Sequence, residues 1–251
     1  MKIMAFFAHP DDETVFLGGT FAYLADKGAE IHYVCATRGE GGEVGEPPVC
    51  TREELGQVRE NELRCAVESL GGASLQFSGY RDPEIGSNGE LYAFTDDEEK
   101  AAAEFKDKLI TINPQVILTH GEAGEYGHPA HIQVYRVMDR ALADVADYSP
   151  AVFSPGYFSG KVDRFIPPPE ILLDISPWKE QKIKAACCHR SQHDLFIRNG
   201  SARAGRLVTI PEMIRPIEAL CRIKSPGIDK KDEYFLDLLS EISIPLSSIR
   251  E

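Results

Sequence analysis

Two short segments of this 251-residue chain carry side chains whose types and spacing suit metal chemistry. The first, residues 9–13, reads His-Pro-Asp-Asp-Glu and follows a short apolar run. The second places His128 and His131 three residues apart at the start of a predicted helix, after the glycine-bearing stretch 121–127. Residues at this spacing share one face of a helix. One imidazole and one carboxylate from the first segment, with one imidazole from the second, would make a metal site with two histidines and one carboxylate.

Three protein ligands with an open position are the arrangement that a catalytic zinc ion needs, with water in the remaining position. The same donors also bind ferrous iron, so the residue types leave the choice between Zn²⁺ and Fe²⁺ open. A further carboxylate beside the ligands can accept a proton from the water. The two segments together therefore predict a metal-dependent hydrolase.

Each segment has a structural alternative when it is considered alone. Acidic residues such as Glu13 favour the positive end of a helix dipole, and a histidine pair on a helix is more often structural than ligating. Both segments, however, directly follow predicted core strands, and packing gives no reason for that coincidence. We therefore favour the functional interpretation for the pair.

The elements that position these segments alternate between strands and helices along the first half of the chain. Short apolar runs predict buried strands at residues 3–8, 31–37, 75–77 and 115–120. Stretches with helical spacing or capping signals predict helices at residues 14–27, 51–70 and 129–146. This alternation predicts an α/β fold, a Rossmann-like three-layer sandwich with a mostly parallel sheet. The strand ends that carry chemistry should then meet at one edge of the sheet.

The residues directly after the first strand exclude two other functions for this layout. No G-x-G-x-x-G motif stands there, so a dinucleotide cofactor is not expected. The carboxylates at 11 and 12 are adjacent, which does not match the Asp-x-Asp spacing of a phosphatase nucleophile motif. The second half of the chain is less regular, but it contains no convincing linker. We expect a single domain over residues 1–251.

Composition limits the partners of this chain. It has 40 acidic and 27 basic residues, a formal charge of −13, which disfavours nucleic acid and anionic membrane surfaces. No apolar stretch approaches the length of a membrane helix. Six cysteines are present without a Cys-x-x-Cys pair, so we expect reduced cysteines in a soluble, cytoplasmic protein that acts on a small molecule.

Two motifs carry a family resemblance. Residues 8–13, Ala-His-Pro-Asp-Asp-Glu, and residues 126–131, Tyr-Gly-His-Pro-Ala-His, resemble the LmbE-like, or PIG-L, family of zinc-dependent N-acetylglucosaminyl deacetylases. Less specific matches follow in the family's order at residues 37–43, 59–63, 80–82 and 189–192. The resemblance spans roughly residues 1–192. It implies removal of an N-acyl group, most simply acetyl, from a conjugate of the N-acetylglucosamine type.

The resemblance also implies roles for individual residues. It makes His9, Asp12 and His131 the metal ligands and Asp11 the general base that acts on water. His128 would stabilise the oxyanion or protonate the leaving amine. These roles agree with general chemistry, because a donor beside the metal stabilises the negative charge that develops on an amide carbonyl.

Four further residues are implied by the resemblance on the substrate side. Tyr126 would contact the scissile carbonyl, while Glu43, Arg59 and Asp82 would contact the sugar. For Arg59 a structural alternative stays open, because an arginine on a helix is more often solvated or paired, here with Glu62 or Glu43.

One departure from the family pattern lies between the second proline and the last histidine, where Ala130 replaces the usual acidic residue. Without that carboxylate we expect His128 to stay neutral more easily at pH 7, which would shift the pH profile. Two rival functions stay open: an amidase that cleaves a thiol–sugar conjugate or another N-acyl small molecule, and a catalytically weak protein that binds metal or sugar. The family often forms homo-oligomers, so a homo-oligomer is compatible with the resemblance.

Overall fold

The computed structural model describes residues 1–145, 148–159, 164–224 and 230–249. Within these ranges the strands are β1 (Lys2–Phe7), β2 (Glu30–Thr37), β3 (Ser74–Tyr80), β4 (Val116–Thr119), β5 (Ala151–Pro155), β6 (Tyr157–Ser159), β7 (Arg164–Ile166), β8 (Ile171–Asp174), β9 (Ile217–Lys224) and β10 (Ser243–Ile244). The predicted strands in the first half all form, with ends within three residues of the prediction.

The helices of the described residues are α1 (Asp12–Asp26), α2 (Leu55–Ser69), α3 (Glu98–Ile112), α4 (Gly124–Gly127), α5 (Pro129–Ala143), α6 (Lys179–Cys188), α7 (His193–Ala204), α8 (Ile210–Met213) and α9 (Lys230–Ser240). Among them, no helix has the length and apolar character needed to cross a membrane. The predicted helix at 51–70 begins later than expected, because Thr51–Glu54 forms a preceding turn in which Thr51 donates to the Glu54 carboxylate. The predicted helix at 129–146 ends as α5 at Ala143, and residue 146 lies outside the described residues.

One eight-stranded sheet takes strands from both halves of the chain, in the order β10-β8-β9-β5-β4-β1-β2-β3. The strands from β3 to β5 in this order are parallel, which confirms the predicted α/β class. At β9 the direction changes, because β9 is antiparallel to β5 and β8, and β10 is antiparallel to β8. Sequence periodicity did not predict this antiparallel extension.

Two apolar cores lie on the two faces of the sheet. On β1, Ile3, Ala5 and Phe7 join the core formed with α1, α2 and α6, whereas Met4 and Phe6 join the core formed with α3 and α5. Successive side chains of a strand point to opposite faces, so a continuous apolar run is what a strand covered on both faces requires. The central strands are thereby fixed between two packed layers, and their carboxyl ends are held in place.

The expectation that every cysteine is reduced is wrong for one pair. Cys65 on α2 and Cys188 at the end of α6 form a disulfide across a sequence separation of 123 residues. Cys35, Cys50, Cys187 and Cys221 are free thiols. The pair follows no spacing motif because only the packing of α2 beside α6 brings the two residues together. Disulfides are rare in the reducing cytoplasm, so the cytoplasmic location stays a prediction.

Candidate metal and catalytic site

The two predicted segments meet at the carboxyl edge of the sheet. β1 and β4 are parallel neighbours with Phe6 paired to Thr119, so the residues that follow each strand come out side by side. A cavity of about 830 Å³ opens at this edge. Four of the predicted residues of the first and second segments, His9, Asp11, Asp12 and His128, line it.

Asp12 lies at the centre of a cluster of imidazoles. Its Oδ2 atom is 3.3 Å from His9 Nδ1, and its Oδ1 atom is 3.3 Å from His131 Nε2. Two donors bonded at about 2.1 Å to a tetrahedral metal lie about 3.4 Å apart, so each distance suits a pair of ligands. The two pairs use different oxygens of Asp12, and His9, Asp12 and His131 together do not form a set of three donor atoms within 4.8 Å of one another. Asp12 Oδ2 also accepts a hydrogen bond of 2.8 Å from the backbone N–H of His9, which fixes the carboxylate relative to the loop.

The ring of His131 shows most directly that these residues fit a metal. His131 is fully buried, and its Nε2 atom has no hydrogen-bond partner. Its Nδ1 donates to Glu125 Oε2 at 2.9 Å, which leaves the lone pair of Nε2 directed at Asp12. A histidine ligand held by a carboxylate at its other nitrogen is a recurrent feature of zinc sites. A buried, unpartnered imidazole nitrogen is otherwise costly.

His120, which was not among the predicted residues, completes this cluster. Its Nε2 is 3.3 Å from Asp12 Oδ2, and its Nδ1 is 2.7 Å from Glu125 Oε2. Two sets of three donor atoms that lie within 4.8 Å of one another therefore occur in the described residues, and they share His131: His9, His128 and His131, and Asp12, His120 and His131. His120 Nε2 already accepts the Ala8 N–H at 3.1 Å, so we regard His120 as a support rather than a ligand. The position of His120 directly after a buried strand is the sequence feature that could have predicted it.

Asp11 has an unusual backbone conformation, with φ of 125°. This left-handed region is unfavourable for a residue with a side chain, and it requires support from the surroundings. The Asp11 N–H donates to Glu13 Oε2 at 3.0 Å, and Arg59 donates to Asp11 Oδ2 at 3.1 Å. Burial raises the pKa of Asp11 to about 6, although the Arg59 charge acts in the opposite direction. A carboxyl group with a pKa in this range suits a general base near neutral pH.

Glu13 does more than favour a helix dipole. Its Oε1 atom accepts from Thr14 Oγ1 at 2.5 Å and lies 3.2 Å from His189 Nε2, and both Glu13 and His189 are buried. Because the other oxygen of Glu13 accepts the Asp11 N–H, this chain of contacts reaches from His189 to the backbone of Asp11. The end of α6 thereby supports the loop that carries the predicted base.

Arg59 is buried and its predicted sugar contact competes with internal partners. One guanidinium nitrogen, Nη1, donates to Gly39 O at 2.8 Å, and Nη2 donates to Pro10 O at 2.5 Å as well as to Asp11. Arg59 still lines the cavity. The structural alternative in the sequence analysis paired Arg59 with Glu62 or Glu43. In the structure, the carboxylate that Arg59 contacts is that of Asp11. The sugar contact of Arg59 stays a prediction.

The other two predicted sugar contacts lie in different environments. Asp82 lines the cavity, with Oδ1 3.3 Å from His9 Nε2 and Oδ2 accepting the Gly41 N–H at 3.2 Å. Burial alone would raise the pKa of Asp82, but His9 and Arg59 lower it below its usual value. Glu43 does not line this cavity, and its carboxylate pairs with Arg198. The structure therefore brings Asp82, and not Glu43, to the predicted metal ligands.

His128 caps the N-terminus of α5, since its Nδ1 atom accepts the Ala130 N–H at 3.2 Å. The ring proton then belongs on Nε2. Burial, together with the nearby imidazoles of His9 and His131, lowers the pKa of His128 to about 3. From the sequence we expected a neutral His128 because Ala130 replaces an acid. The pKa of His128 is indeed lowered, but by burial and by the neighbouring imidazole rings. Tyr126, 53% exposed, packs its ring 5.9 Å from His128 at the cavity wall.

Ala130 itself points away from the site into the core. It is fully buried among the apolar residues between the sheet and α5. The carboxylate that orients an imidazole here comes from Glu125, whose φ of 57° directs the backbone of this loop. Glu125 Oε2 contacts both His120 and His131. Glu125 was not predicted from the sequence because an acidic residue in a glycine-bearing loop has no spacing that marks it.

A family described as PIG-L, GlcNAc-PI de-N-acetylase, matches residues 4–142. This match covers more than half of the chain and includes every predicted metal ligand and Asp11. The chain belongs to the PIG-L family, as the two motifs indicated.

Two curated relatives are similar over much of the sequence. Both are named as 1D-myo-inositol 2-acetamido-2-deoxy-alpha-D-glucopyranoside deacetylase. The protein from Geodermatophilus obscurus is 38% identical over an alignment of 159 residues, and the match covers 58% of this chain and 54% of that protein. The protein from Acidothermus cellulolyticus is 33% identical over an alignment of 225 residues, and the match covers 74% of this chain and 77% of that protein. This chain therefore spans about half the length of the first relative and three quarters of the second.

A solved structure shares the fold at lower sequence identity. The 4-carboxy-2-hydroxymuconate hydratase of Pseudomonas putida superposes with a TM-score of 0.64 and 20% identity, covering 91% of this chain and 98% of that one. At this identity the similarity shows the fold alone. Because the fold is compatible with a reaction other than deacetylation, the reaction of this chain has to be argued from its site.

Proposed function

We propose that this chain is a zinc-dependent N-deacetylase that removes the acetyl group from a conjugate of N-acetylglucosamine, with one catalytic domain over residues 1–251. The observation that carries the proposal is the buried, unpartnered Nε2 of His131 beside Asp12, which lines the same cavity as Asp11. A set of ligand atoms and a separate carboxylate in one cavity is the arrangement that hydrolysis of an amide needs. The names of the curated relatives support the acetylated amino sugar as the substrate class.

His9, Asp12 and His131 are the residues that would hold the metal. A divalent ion there supplies a Lewis acid that polarises an amide carbonyl and favours the ionisation of water. Zinc suits two imidazoles and a carboxylate, and ferrous iron accepts the same donors. His120 and Glu125 orient these ligands from behind the cluster, and Asp82 contacts the second nitrogen of His9.

Asp11 accepts a proton from the attacking water. Its carboxylate has one oxygen bound to Arg59, so the side chain is oriented before substrate arrives. The pKa of about 6 allows Asp11 to be ionised at neutral pH and to hold the proton once it is transferred. Asp11 then gives this proton to the leaving amine, which balances the protons of the hydrolysis.

His128 stabilises the oxyanion in this proposal. Because Nδ1 accepts a backbone N–H, the Nε2–H group is free to donate toward the cavity. A neutral donor directed at the developing negative charge lowers the barrier without needing to transfer its own proton. Tyr126, beside His128 on the same loop, would contact the carbonyl of the substrate.

The amidase that cleaves another N-acyl small molecule uses the same chemistry, so only substrates distinguish it. Homo-oligomer formation is a further expectation from the family resemblance, and it is testable by size measurement in solution. A weak binding protein without catalysis does not account for the site, since His9, Asp12, Asp11 and His128 line one cavity and His131 lies beside Asp12.

The test combines metal content with acetate release. Purified protein should contain about one metal ion per chain and, after zinc loading, release acetate from N-acetylglucosaminides. Asp11→Asn should reduce the rate by about 10²–10⁴-fold without reducing metal content. Asp26→Asn, at the exposed end of the same helix α1, is the matched control and should change neither quantity. Bound metal without acetate release from any N-acetyl sugar would move the proposal to the amidase, and a protein that binds no metal would refute it.

A further inference from the structure

The cavity that contains the metal cluster is polar at one end and apolar over most of its remaining wall. The apolar wall is formed by side chains of the loop after β3, of α7 and of α8. They include Ile85, Leu91, Tyr92, Leu195, Phe196 and Met213. Asp82, on the predicted sugar side of the site, lines the same cavity, and Ile85 and Leu91 follow it in the same loop.

Exposed apolar side chains are concentrated at this cavity. Ile85, Leu91 and Tyr92 are 52%, 37% and 43% exposed. Together with Val15 and Tyr126 they make up half of the ten exposed large hydrophobic side chains in the described residues. Exposed apolar residues scattered singly need no explanation, but a contiguous apolar patch around a cavity marks a binding surface.

Polar groups are few outside the metal end. Among the described residues, Gln192, Asn199 and Arg203 are the cavity-lining polar side chains there, apart from tyrosine hydroxyls. Gln192 is 1% exposed, and its amide already donates to Glu43 O and to Ser191 Oγ. The Tyr92 hydroxyl donates to Glu90 at 2.9 Å. A polyol placed against Ile85, Leu91 and Phe196 would lose hydrogen bonds to water, and among these polar side chains Asn199 and Arg203 are the ones left to replace them.

We propose that the substrate is an N-acetylglucosaminide whose aglycone is an alkyl or aryl group, bound by Ile85, Leu91 and Phe196. This inference rests on the proposed deacetylase function and names the substrate class of the same site. The aglycone is preferred to a long N-acyl chain because Ile85 and Leu91 lie beyond Asp82 on the sugar side, whereas the acyl group has to lie next to His128 and Tyr126. Such a preference would separate this chain from relatives named for an inositol conjugate.

The test compares conjugates that differ in the aglycone alone. The zinc-loaded protein is assayed for acetate release from methyl, hexyl, phenyl and myo-inositol N-acetylglucosaminides, with both anomers for the methyl and hexyl compounds. Burial of two or more methylenes predicts that kcat/KM for the hexyl or phenyl conjugate exceeds that for the methyl conjugate by at least about tenfold. A preference for the inositol conjugate, or equal values across the series, would overturn the inference. A higher kcat/KM for a methyl glycoside with an N-hexanoyl group than for the methyl N-acetylglucosaminide would also overturn the inference, because the apolar wall would then bind the acyl chain.

Variants at the exposed rim test the named residues with little risk to folding. Ile85→Asn and Leu91→Asn should each lower the ratio of kcat/KM between the hexyl and methyl conjugates by at least about threefold, since each removes apolar contact with the hexyl group. Ile110→Asn is the matched control, because Ile110 is 58% exposed on α3 and does not line the cavity. An unchanged ratio in both rim variants would overturn the assignment of these residues.

Binding measurements separate this inference from the proposed function. Hexyl and methyl glucosaminides, which are the deacetylated products, are titrated calorimetrically into the wild-type protein and into Asp11→Asn. One outcome is that hexyl glucosaminide binds at least about tenfold more tightly than methyl glucosaminide while no conjugate releases acetate. This result would refute the deacetylase function and support the apolar subsite. Acetate release with equal binding and equal kcat/KM would refute the subsite alone.

Discussion

The inner end of the cavity is built from two loops that are neighbours at the sheet edge, whereas its supports and outer wall come from elements spread along the chain. The inner residues follow β1 and β4 directly, and each loop carries several of them. The supports include His189 at the end of α6 and Glu218 on β9, and α7 forms part of the outer wall. Chemistry is thus concentrated in short motifs, while positioning and specificity depend on tertiary packing.

The largest effect is expected at the inner end. His131→Ala removes the buried Nε2 atom that has no hydrogen-bond partner and faces Asp12, so metal content should fall from about one ion per chain to less than about a tenth. Acetate release should fall by at least ~10³-fold, because the Lewis acid is lost. His193→Ala, at the start of α7 and away from the cluster, is the control. Full metal content in His131→Ala would show that the other donor atoms hold the ion, and the ligand assignment would then be wrong.

The meeting of the two loops at the inner end was predictable from the sequence because the signals were local. An apolar run followed immediately by His9–Asp12 predicts both a buried strand and a functional loop after it. If the strands are parallel, the loops that follow β1 and β4 are then predicted to meet at one edge of the sheet. His120 also directly follows a core strand, but no second potential ligand stands next to it in the sequence, so it was not predicted. Glu125 and the partner of Arg59 needed the structure, because their contacts depend on how two loops fold over each other.

In the second half of the chain the pairing of elements, rather than their existence, could not be predicted, and the reason is different. β9 carries one acid, Glu218, in its mostly apolar first half, and the partners of Glu218, namely Gly19, Thr20 and Lys182, lie on two other elements. The disulfide between Cys65 and Cys188 likewise joins helices that are distant in sequence. No local period encodes such pairings. A lone acid in an apolar strand was the signal available, and it indicates a buried partner without identifying it.

The second prediction concerns stability at this lone acid. α1 is interrupted at Leu17, where φ is −133°, and Glu218 accepts the N–H groups of Gly19 and Thr20 at 2.9 and 2.8 Å. It also pairs with the buried Lys182 at 2.7 Å. Glu218→Ala leaves Lys182 buried without a partner charge, so the free energy of unfolding in urea should fall by about 3–5 kcal/mol.

Two companion variants sharpen this test. Glu180→Ala, on the exposed face of α6, should leave the unfolding free energy nearly unchanged. Lys182→Met should cost less than Glu218→Ala, because the carboxylate keeps its three hydrogen bonds to Gly19 and Thr20. Equal losses in the two single variants would show that the ion pair itself, rather than support of the interrupted helix, dominates.

The third prediction concerns the disulfide between the two regions. Cys65 lies on α2 with Arg59, and Cys188 precedes His189, so the bond ties together two supports of Asp11. Loss of a cross-link over so long a separation should lower the free energy of unfolding by about 2–4 kcal/mol. The double variant Cys65→Ser/Cys188→Ser, or reduction by a dithiol, measures this loss. Cys187→Ser, at the exposed free thiol next to the bond, is the matched control.

Thiol alkylation followed by mass measurement decides whether the bond forms in the protein. Four modified cysteines in the unfolded, unreduced chain correspond to one disulfide, since four cysteines are free. Six modified cysteines, with unfolding that reductant does not change, would restore the original expectation of reduced cysteines.

The smallest effect is expected at Glu125, which acts on the metal only through His120 and His131. Glu125→Gln keeps the shape of the side chain but removes the charge that holds both Nδ1–H groups. Loss of such a support commonly weakens metal affinity about 10–100-fold, measurable by competition with a chelator. Glu122→Gln, exposed in the same loop, is the control. An unchanged affinity in Glu125→Gln would mean that α5 alone orients His131. The acid that the family usually carries at position 130 would then have no counterpart in this chain. The metal ligands would also depend less on supporting residues than the contacts of Glu125 indicate.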